Sequence, residues 1–169
     1  MRILILGNSG SGKTTLGVRL SKELNLPFHE LDNLLWCEGW VRTPKEEYVQ
    51  SEKAVLGSEK WIVEGLGEVE SIPQRIDRST HIILCDFPIW QNFWLAGERQ
   101  NKWKDGSIEL LPGGLREPPP TRAVFETIWM VEQHCMPTIR SLVLHATNSK
   151  SVKVVSSFED LQKFEFDPN

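Results

Sequence analysis

Short apolar runs alternate with longer amphipathic stretches along the chain. Such alternation is typical of α/β proteins, in which helices join parallel strands. The first run predicts a buried parallel strand, and Leu16, Leu20 and Leu24 then form the apolar stripe of a helix packed on a sheet. The predicted strands cover Arg2–Leu6, Pro27–Leu31, Trp61–Val63, His81–Cys85 and Val152–Val155.

Predicted helices lie between these strands. Thr43-Pro44-Lys45-Glu46 has a capping-box pattern with proline at the first helical position. Pro137 is expected to kink or divide the longest helix, and Ser157 is expected to cap the last one. The helices are predicted at Thr14–Leu24, Pro44 to about Leu56, Ile89–Lys102, Thr121–His145 and directly after Ser157.

The turn after the first strand reads Gly7-Asn8-Ser9-Gly10-Ser11-Gly12-Lys13-Thr14 and fills the pattern G-x-x-x-x-G-K-[ST]. Its glycines permit positive φ angles that turn backbone N–H groups inward, and the helix N-terminus behind them completes an anion cradle. Lys13 is expected to reach the β- and γ-phosphates of a nucleotide, and Thr14 to ligate its Mg²⁺. The predicted nucleotide-binding residues are Gly7, Ser9, Gly10, Ser11, Gly12, Lys13, Thr14 and Thr15.

Composition narrows the class of protein. A chain of 169 residues, 40% hydrophobic and 25% charged, predicts one globular domain spanning residues 1–169. The phosphate loop begins seven residues from the start, and no apolar run approaches the length of a membrane span, so we expect a cytoplasmic protein. A net charge of −4 with dispersed basic residues argues against direct binding to nucleic acid.

Cysteine and tryptophan positions give further expectations. Cys37, Cys85 and Cys135 are odd in number, far apart and without C-x-x-C spacing, which argues against a disulfide framework and a zinc site and predicts reduced core or subsurface thiols. Trp36 and Trp40 follow Asp32 in a loop-rich region, where their rings either stack on a nucleobase or sugar or serve packing alone. The tryptophans in apolar helix or strand patterns are expected in the core: Trp61, Trp90, Trp94 and Trp129.

Among phosphate-loop proteins, the pattern favours small-molecule kinases. The string Asn101–Asp105 has one residue too many for the N-K-x-D base reader of GTPases and follows a helix. Motor-type ATPases would have a strand ending in adjacent acidic residues, and none of the predicted strands ends in such a pair. Residues 33–58 suit an acceptor-binding insertion, and residues 99–122, with their proline and glycine clusters, suit an arginine-bearing lid.

Several motifs together resemble the adenylate-kinase-related P-loop proteins known as DNA topology modulation proteins, which are related to FlaR. They are Gly7–Leu16, Leu31-Asp32 with Trp36 and Gly39-Trp40, Trp61–Gly65 and Ile82–Pro88. The resemblance implies an adenylate-kinase-like three-layer α/β/α fold around a five-stranded parallel sheet, with ATP at Gly7–Thr15 and an acceptor near Asp32. It also implies an adenine site near Ser156 and Ser157. Ile89 and Leu66 depart from the family pattern.

Three side chains are candidates for chemistry beyond the phosphate loop. Asp32 either orients or deprotonates an acceptor hydroxyl, holds Mg²⁺ through water, or caps the next helix. Arg99 either neutralises charge on a transferred phosphoryl group or is a solvated helix-end residue. Asp86 either holds Mg²⁺ through water or hydrogen-bonds to the phosphate loop. Arg75 and Arg122 are weaker candidates for the role given to Arg99.

Two functions remain open from the sequence. The first is a kinase that moves the γ-phosphoryl group of ATP to a small-molecule acceptor, with a nucleotide or nucleoside as the expected acceptor and Lys13, Asp32 and Arg99 as catalytic residues. The second is a nucleotide-binding regulatory protein, related to DNA topology modulation, with weak or no kinase activity. The arginine-bearing lid favours the first function, and the departures from the family pattern favour the second.

Overall fold

The computed structural model describes residues 1–109 and 117–167. Its strands belong to one large and one small sheet. In chain order they are β1 (Arg2–Gly7), β2 (Phe28–Glu30), β3 (Trp36–Cys37), β4 (Val41–Arg42), β5 (Trp61–Glu64), β6 (His81–Cys85) and β7 (Ser151–Val155). The α-helices are α1 (Lys13–Leu24), α2 (Leu31–Leu35), α3 (Lys45–Gly57), α4 (Ile72–Arg78), α5 (Ile89–Lys104), α6 (Thr121–His134), α7 (Met136–Ala146) and α8 (Phe158–Lys163).

The large sheet has five parallel strands in the order β2-β5-β1-β6-β7 within the described residues. Strand β1 is central, so the loop that follows it emerges from the middle of the carboxyl edge of the sheet. Ligands of open α/β sheets bind at this edge. The α/β P-loop fold with a five-stranded parallel sheet, predicted from the sequence, is confirmed.

Alternate residues of β1 face two different apolar layers. Leu4 and Leu6 pack into a cluster with residues of α4, α6 and α7. Ile3 and Ile5 pack into a second cluster with residues of α1 and α8. All four side chains are completely buried, and burying each stabilises the fold by roughly 1.5–3 kcal/mol. The two clusters give the fold three layers, with the sheet between helices.

Helix boundaries largely follow the predictions. The Ser157 hydroxyl accepts a hydrogen bond from the Asp160 N–H at 3.0 Å and caps α8. The long predicted helix is divided into α6 and α7 at Cys135, two residues before Pro137. The capping box at Thr43 is wrong: α3 has Pro44 at its N-cap and no side-chain cap, because the Thr43 N–H is held by the Leu35 carbonyl group at 2.9 Å.

The second strand is shorter than predicted. It ends at Glu30, and Leu31 begins the five-residue helix α2, so Asp32 lies in the first turn of a helix rather than after a strand. Helix α2 leads into the hairpin β3–β4, which the sequence pattern did not predict. Residues 33–58, which were predicted to form an acceptor-binding insertion, contain the end of α2, this hairpin and α3.

The tryptophan prediction is right for Trp61, which is completely buried, and wrong for the other three. Trp90 is 62% exposed, Trp94 52% and Trp129 53%. The buried residues in the first half of α5 are Asn92 and Ala96, and a Cβ at Gly10 would overlap the carbonyl oxygen of Asn92. Because the phosphate loop approaches this part of α5 so closely, Trp90 and Trp94 lie on the outer face of the helix.

All three cysteines are free thiols, as expected. Cys85 is buried and Cys135 is partly buried, but Cys37 is exposed, so the expectation of a core or subsurface thiol is wrong there. Cys37 lies on the hairpin β3–β4, which is a two-stranded sheet separate from the large one. None of the helices in the described ranges is both long and apolar enough to cross a membrane. Within the predicted lid, residues 110–116 lie outside the described residues.

Candidate active site

The phosphate loop joins β1 to α1 in the predicted order. Gly10 and Gly12 have φ angles of 78° and 74°, values that side chains other than glycine rarely adopt. Gly12 is the N-cap of α1 and supplies no side-chain cap, so the first N–H groups of the helix point toward the loop without a side-chain acceptor. A loop of this shape at a helix N-terminus is suited to bind phosphate.

The loop is held together by hydrogen bonds to Asn8. The Asn8 carbonyl oxygen accepts from the Ser11 hydroxyl at 2.7 Å and from the Lys13 ammonium at 2.8 Å. The Asn8 carboxamide accepts from the Ser9 N–H at 2.7 Å and donates to the Ile128 carbonyl group of α6 at 2.9 Å. The Lys13 ammonium therefore lies over the loop, where a phosphate oxygen would compete for it with a neutral carbonyl group.

Thr14 and Glu64 are joined by a hydrogen bond that the sequence did not predict. The Thr14 hydroxyl donates to the Glu64 carboxylate at 2.8 Å, and Glu64 is 3% exposed. The parallel register of β1 and β5 sets Glu64 opposite Ile5, near the end of β1. Glu64 ends β5 at the carboxyl edge of the sheet, and its hydrogen bond fixes the orientation of the Thr14 hydroxyl.

Charged side chains from five elements act on one another beside the loop. Burial raises the pKa values of Asp32 and Glu64, and the positive charges of Lys13 and Arg99 oppose both shifts. Burial, together with the charges of Glu64 and Asp32, raises the pKa of Glu30 to about 7. These five residues, Lys13, Glu30, Asp32, Glu64 and Arg99, are called the charged cluster below, and Glu64 and Arg99 contact the loop and the start of α1 through Thr14 and Ser9.

Arg99 reaches the cluster from the second half of α5. Its guanidinium lies 3.4 Å from the Ser9 hydroxyl, and its buried Nε has no hydrogen-bond partner among the described residues. Burial lowers the pKa of Arg99, and Asp32 and Glu64 oppose this shift. Arg99 is therefore not a solvated helix-end residue. The structure brings Lys13, Asp32 and Arg99 together, as the kinase interpretation of the sequence requires.

Asp86 has a different environment from either alternative drawn from the sequence. Both of its carboxylate oxygens accept from the Arg140 guanidinium, at 2.7 to 3.1 Å. Arg140 also bonds to Glu132 at 2.7 Å, and Glu132 lies 3.5 Å from the Asn8 carboxamide. Asp86 thus supports the loop indirectly, through a network that ties α6 and α7 to it. No local sequence pattern distinguished Arg140.

The weaker arginine candidates have structural roles. Arg75 is completely buried, pairs with Glu52 at 3.2 Å and donates to the Gly65 carbonyl group at 2.9 Å, which fixes the turn after β5. Arg122 is exposed and pairs with Glu126 one helical turn away. Neither arginine is part of the charged cluster, because Arg75 is buried and paired with Glu52 and Arg122 is exposed to solvent.

Trp36 and Trp40 extend from the hairpin beside α2. Their ring centroids are 5.9 Å apart in an edge-to-face arrangement, and Trp40 lies 6.1 Å from Trp103 near the end of α5. The Trp40 indole donates to the Glu117 carbonyl group at 3.0 Å. The hairpin therefore contacts described residues of the predicted lid before and after residues 110–116.

A small cavity lies beside the first turns of α1. Its volume is about 270 Å³, and its lining joins α1 to α8, the helix that follows β7. The lining residues are Thr15, Leu16, Arg19, Phe158, Leu161 and Gln162. The cavity adjoins Ser157, near which the resemblance predicts the adenine, and that placement stays a prediction.

The donor atoms near Thr14 are hydroxyl and carboxylate oxygens, which suit Mg²⁺. Across residues 1–109 and 117–167, no three or more His, Cys, Asp or Glu side chains are grouped to hold a metal ion by themselves. Such chemistry fits a cation that is bound mainly through nucleotide phosphates, as Mg²⁺ is in phosphate-loop proteins.

Glu30 makes a testable contribution to pH dependence. Because its pKa rises from 4.5 to about 7 on folding, the folded state holds this proton more tightly than the unfolded state. Stability is therefore expected to fall as pH rises from about 4.5 to 7 and to level off above that range. Since Glu30 is partly exposed, Glu30→Gln should reduce this fall by only on the order of 1 kcal/mol.

Urea denaturation of both proteins at pH 5 and pH 8 measures this difference. The exposed Glu59→Gln variant is the control and should keep the wild-type pH dependence. An equal fall in stability in wild type and Glu30→Gln would contradict the assignment.

Comparisons with known proteins agree with the fold. The family model for shikimate kinase matches residues 9–53, which contain most of the phosphate loop, α1 and α2. The chain is similar to the solved structure of a candidate kinase from Chloroflexus aurantiacus, at 16% identity and a TM-score of 0.55, with 97% of this chain and 91% of that chain covered. It is also similar to shikimate kinase from Aquifex aeolicus, at 22% identity and a TM-score of 0.45, with 79% and 96% covered. No curated protein matches the chain in sequence.

Proposed function

We propose that the protein is an ATP-dependent phosphotransferase that acts on a small molecule. The observation that carries this proposal is the convergence of Lys13, Asp32 and Arg99 beside the phosphate loop, since a nucleotide-binding loop alone needs neither of the last two. The match of residues 9–53 to a kinase family supports it. In this proposal residues 1–169 form one kinase-like domain, with the acceptor-binding insertion at 33–58 and the lid at 99–122.

The phosphate loop binds the triphosphate of ATP. Backbone N–H groups of the loop and of the α1 N-terminus contact the phosphates, and Lys13 exchanges its bond to the Asn8 carbonyl group for β- and γ-phosphate oxygens. The adenine occupies the cavity between α1 and α8. Thr14 would hold Mg²⁺, which neutralises charge on the phosphates when bound, and Glu64 keeps the Thr14 hydroxyl in place.

Asp32 and Arg99 act on the transferred group. The acceptor hydroxyl oxygen attacks the γ-phosphorus, the bond from that phosphorus to the bridging oxygen breaks, and ADP leaves. The hydroxyl proton passes to the Asp32 carboxylate, whose pKa is raised by burial and which is therefore a stronger base than an exposed aspartate. The Arg99 guanidinium stabilises the negative charge of the phosphoryl group in flight.

A screen for ADP release tests the proposal. The protein is incubated with ATP and Mg²⁺ and with nucleosides, nucleoside monophosphates, sugars and hydroxy acids in turn. We expect one acceptor class to accelerate ADP release, and Asp32→Asn to abolish the acceleration while ATP still binds. Arg122→Ala, a change on the exposed face of α6, serves as the control and should be neutral.

If ATP binds, no acceptor accelerates ADP release and Asp32→Asn leaves the basal rate unchanged, the kinase proposal is wrong. The regulatory nucleotide-binding protein, implied by the resemblance to DNA topology modulation proteins, then becomes the better account.

Thr14→Ala is expected to lower the affinity for ATP about tenfold in the presence of Mg²⁺ and much less in EDTA, because the hydroxyl is a ligand of the cation and not of the phosphates. Calorimetric titration under both conditions measures the difference. Thr15→Ala removes a neighbouring hydroxyl that lines the proposed adenine cavity, so any change in ATP affinity should be the same with and without Mg²⁺. Equal losses with and without Mg²⁺ would refute the role of Thr14.

A further inference from the structure

The charge balance of the cluster restricts what can bind beside the phosphate loop. Glu30 and Glu64 lie side by side at the ends of β2 and β5, and Asp32 follows Glu30 in the first turn of α2, so three carboxyl groups lie together at this edge of the sheet. In the described part of the chain, the cations whose charges act on Asp32 and Glu64 are Lys13 and Arg99. Carboxylates therefore outnumber cations before any substrate is present.

Neighbouring arginines do not correct this balance. Arg42, on the hairpin, pairs with Glu68 at 3.1 Å. Arg75 and Arg140 are bound to carboxylates of the core and of the α6–α7 network. Each of these guanidinium groups already has a carboxylate partner, which reduces the positive charge that it offers to an anionic acceptor.

ATP makes the shortage of cations more severe. Lys13 and Mg²⁺ both contact the phosphates in the proposed complex, so Arg99 is the cation of the charged cluster that remains. Arg99 in turn is required by the transferred phosphoryl group. A carboxylate or phosphate monoester on the acceptor would then enter a partly buried space lined by carboxyl groups without a cationic partner, and burying an unpaired charge is costly.

The same space has features that suit neutral hydroxyl groups. Carboxylates accept hydrogen bonds from hydroxyl groups without any requirement for opposite charge. Trp36 and Trp40, directly after α2, add half-buried aromatic rings that can pack on the apolar face of a sugar or on a nucleobase.

We propose that the acceptor is an uncharged, hydroxyl-bearing molecule, either a nucleoside or a free sugar, and not a carboxylate or a phosphate monoester. This inference rests on the phosphotransferase function proposed above. The acceptor hydroxyl gives its proton to Asp32 and becomes the ester oxygen of a phosphate monoester, while ADP leaves. The product then carries the negative charge that the site does not accommodate, and its repulsion by Glu30 and Glu64 favours its release.

Matched acceptor pairs test the inference. ADP release is measured with nucleosides against their 5′-monophosphates and with aldoses against the corresponding aldonic acids. We expect kcat/KM to be at least about 100-fold higher for the uncharged member of the productive pair. Acceleration by nucleosides identifies a nucleoside acceptor, and acceleration by aldoses identifies a free sugar.

A preference for the charged member would overturn the inference and leave the phosphotransferase function standing. ATP binding without acceleration by any pair would overturn both. The two proposals thus fail through different results.

Variants that change the charge beside Arg42 provide a second test. Glu68→Gln releases Arg42 from its partner and should raise the ratio of kcat/KM for the charged member to that for the uncharged member about tenfold. Glu70→Gln makes the same charge change at an exposed position two residues away and should leave the ratio unchanged. An equal ratio in the two variants would contradict the assigned shortage of cations.

Discussion

Arg99→Ala is expected to reduce the rate of phosphoryl transfer about 10³-fold, a loss on the order of 4 kcal/mol of transition-state stabilisation. The guanidinium is close to the phosphate loop, 3.4 Å from the Ser9 hydroxyl. The negative charges of Asp32 and Glu64 favour its charged form there. Its charge is therefore available where negative charge develops on the phosphoryl group. ATP affinity should change little, because Lys13 and backbone N–H groups bind the ground-state phosphates.

Single-turnover measurements with a productive acceptor separate the rate of phosphoryl transfer from the affinity for ATP. Arg99→Lys keeps the charge but loses the planar fork of donors and should recover only part of the rate. Arg122→Ala removes an arginine that pairs with Glu126 in solvent and is the control. A rate loss in Arg99→Ala no greater than in Arg122→Ala would rule out the proposed role.

Lys13→Ala is expected to weaken ATP binding about 100-fold, close to 2.7 kcal/mol, while the protein stays folded. The ammonium lies over the loop at 2.8 Å from the Asn8 carbonyl oxygen, and in the proposed complex it becomes the full positive charge on the β- and γ-phosphates. AMP lacks those phosphates and should lose far less affinity than ATP. This contrast separates loss of a phosphate contact from general damage to the site.

Calorimetric titration with ATP and AMP, combined with circular dichroism of both proteins, makes the measurement. Lys22→Ala removes a lysine from the last turn of the same helix and serves as the control. Unchanged ATP affinity in a folded Lys13→Ala protein would refute the assignment of the phosphate loop.

The link between the hairpin and the predicted lid explains why the tryptophans divide into two groups. Trp40 contacts Trp103 and the Glu117 carbonyl group, so it joins the hairpin to described residues within the predicted lid. Trp90, Trp94 and Trp129 face outward from α5 and α6. Sequence periodicity did not reveal the exposure of these three, because an apolar stripe does not show which neighbour occupies the inner face of a helix.

The sequence by itself determined the parallel sheet and the phosphate loop. Apolar runs set the strands to within a residue or two, and the spacing of Gly7, Gly10 and Gly12 fixes a backbone shape that depends only on local φ and ψ angles. Asp32 and Arg99 were also predicted as candidates, because strand ends and the helix leading to a lid lie at the carboxyl edge of the sheet. These are local or topological properties, which a linear pattern carries.

The tertiary structure alone decided the partners of the charged groups. The Thr14–Glu64 hydrogen bond depends on the register of β1 and β5, and Asp86 is occupied by Arg140, which lies 54 residues away along the chain. The burial that raises the pKa of Glu30 to about 7 likewise comes from elements that are distant in sequence. Because electrostatic interactions depend on distance and burial in space rather than on spacing along the chain, the charge balance of the acceptor side follows only from the folded molecule.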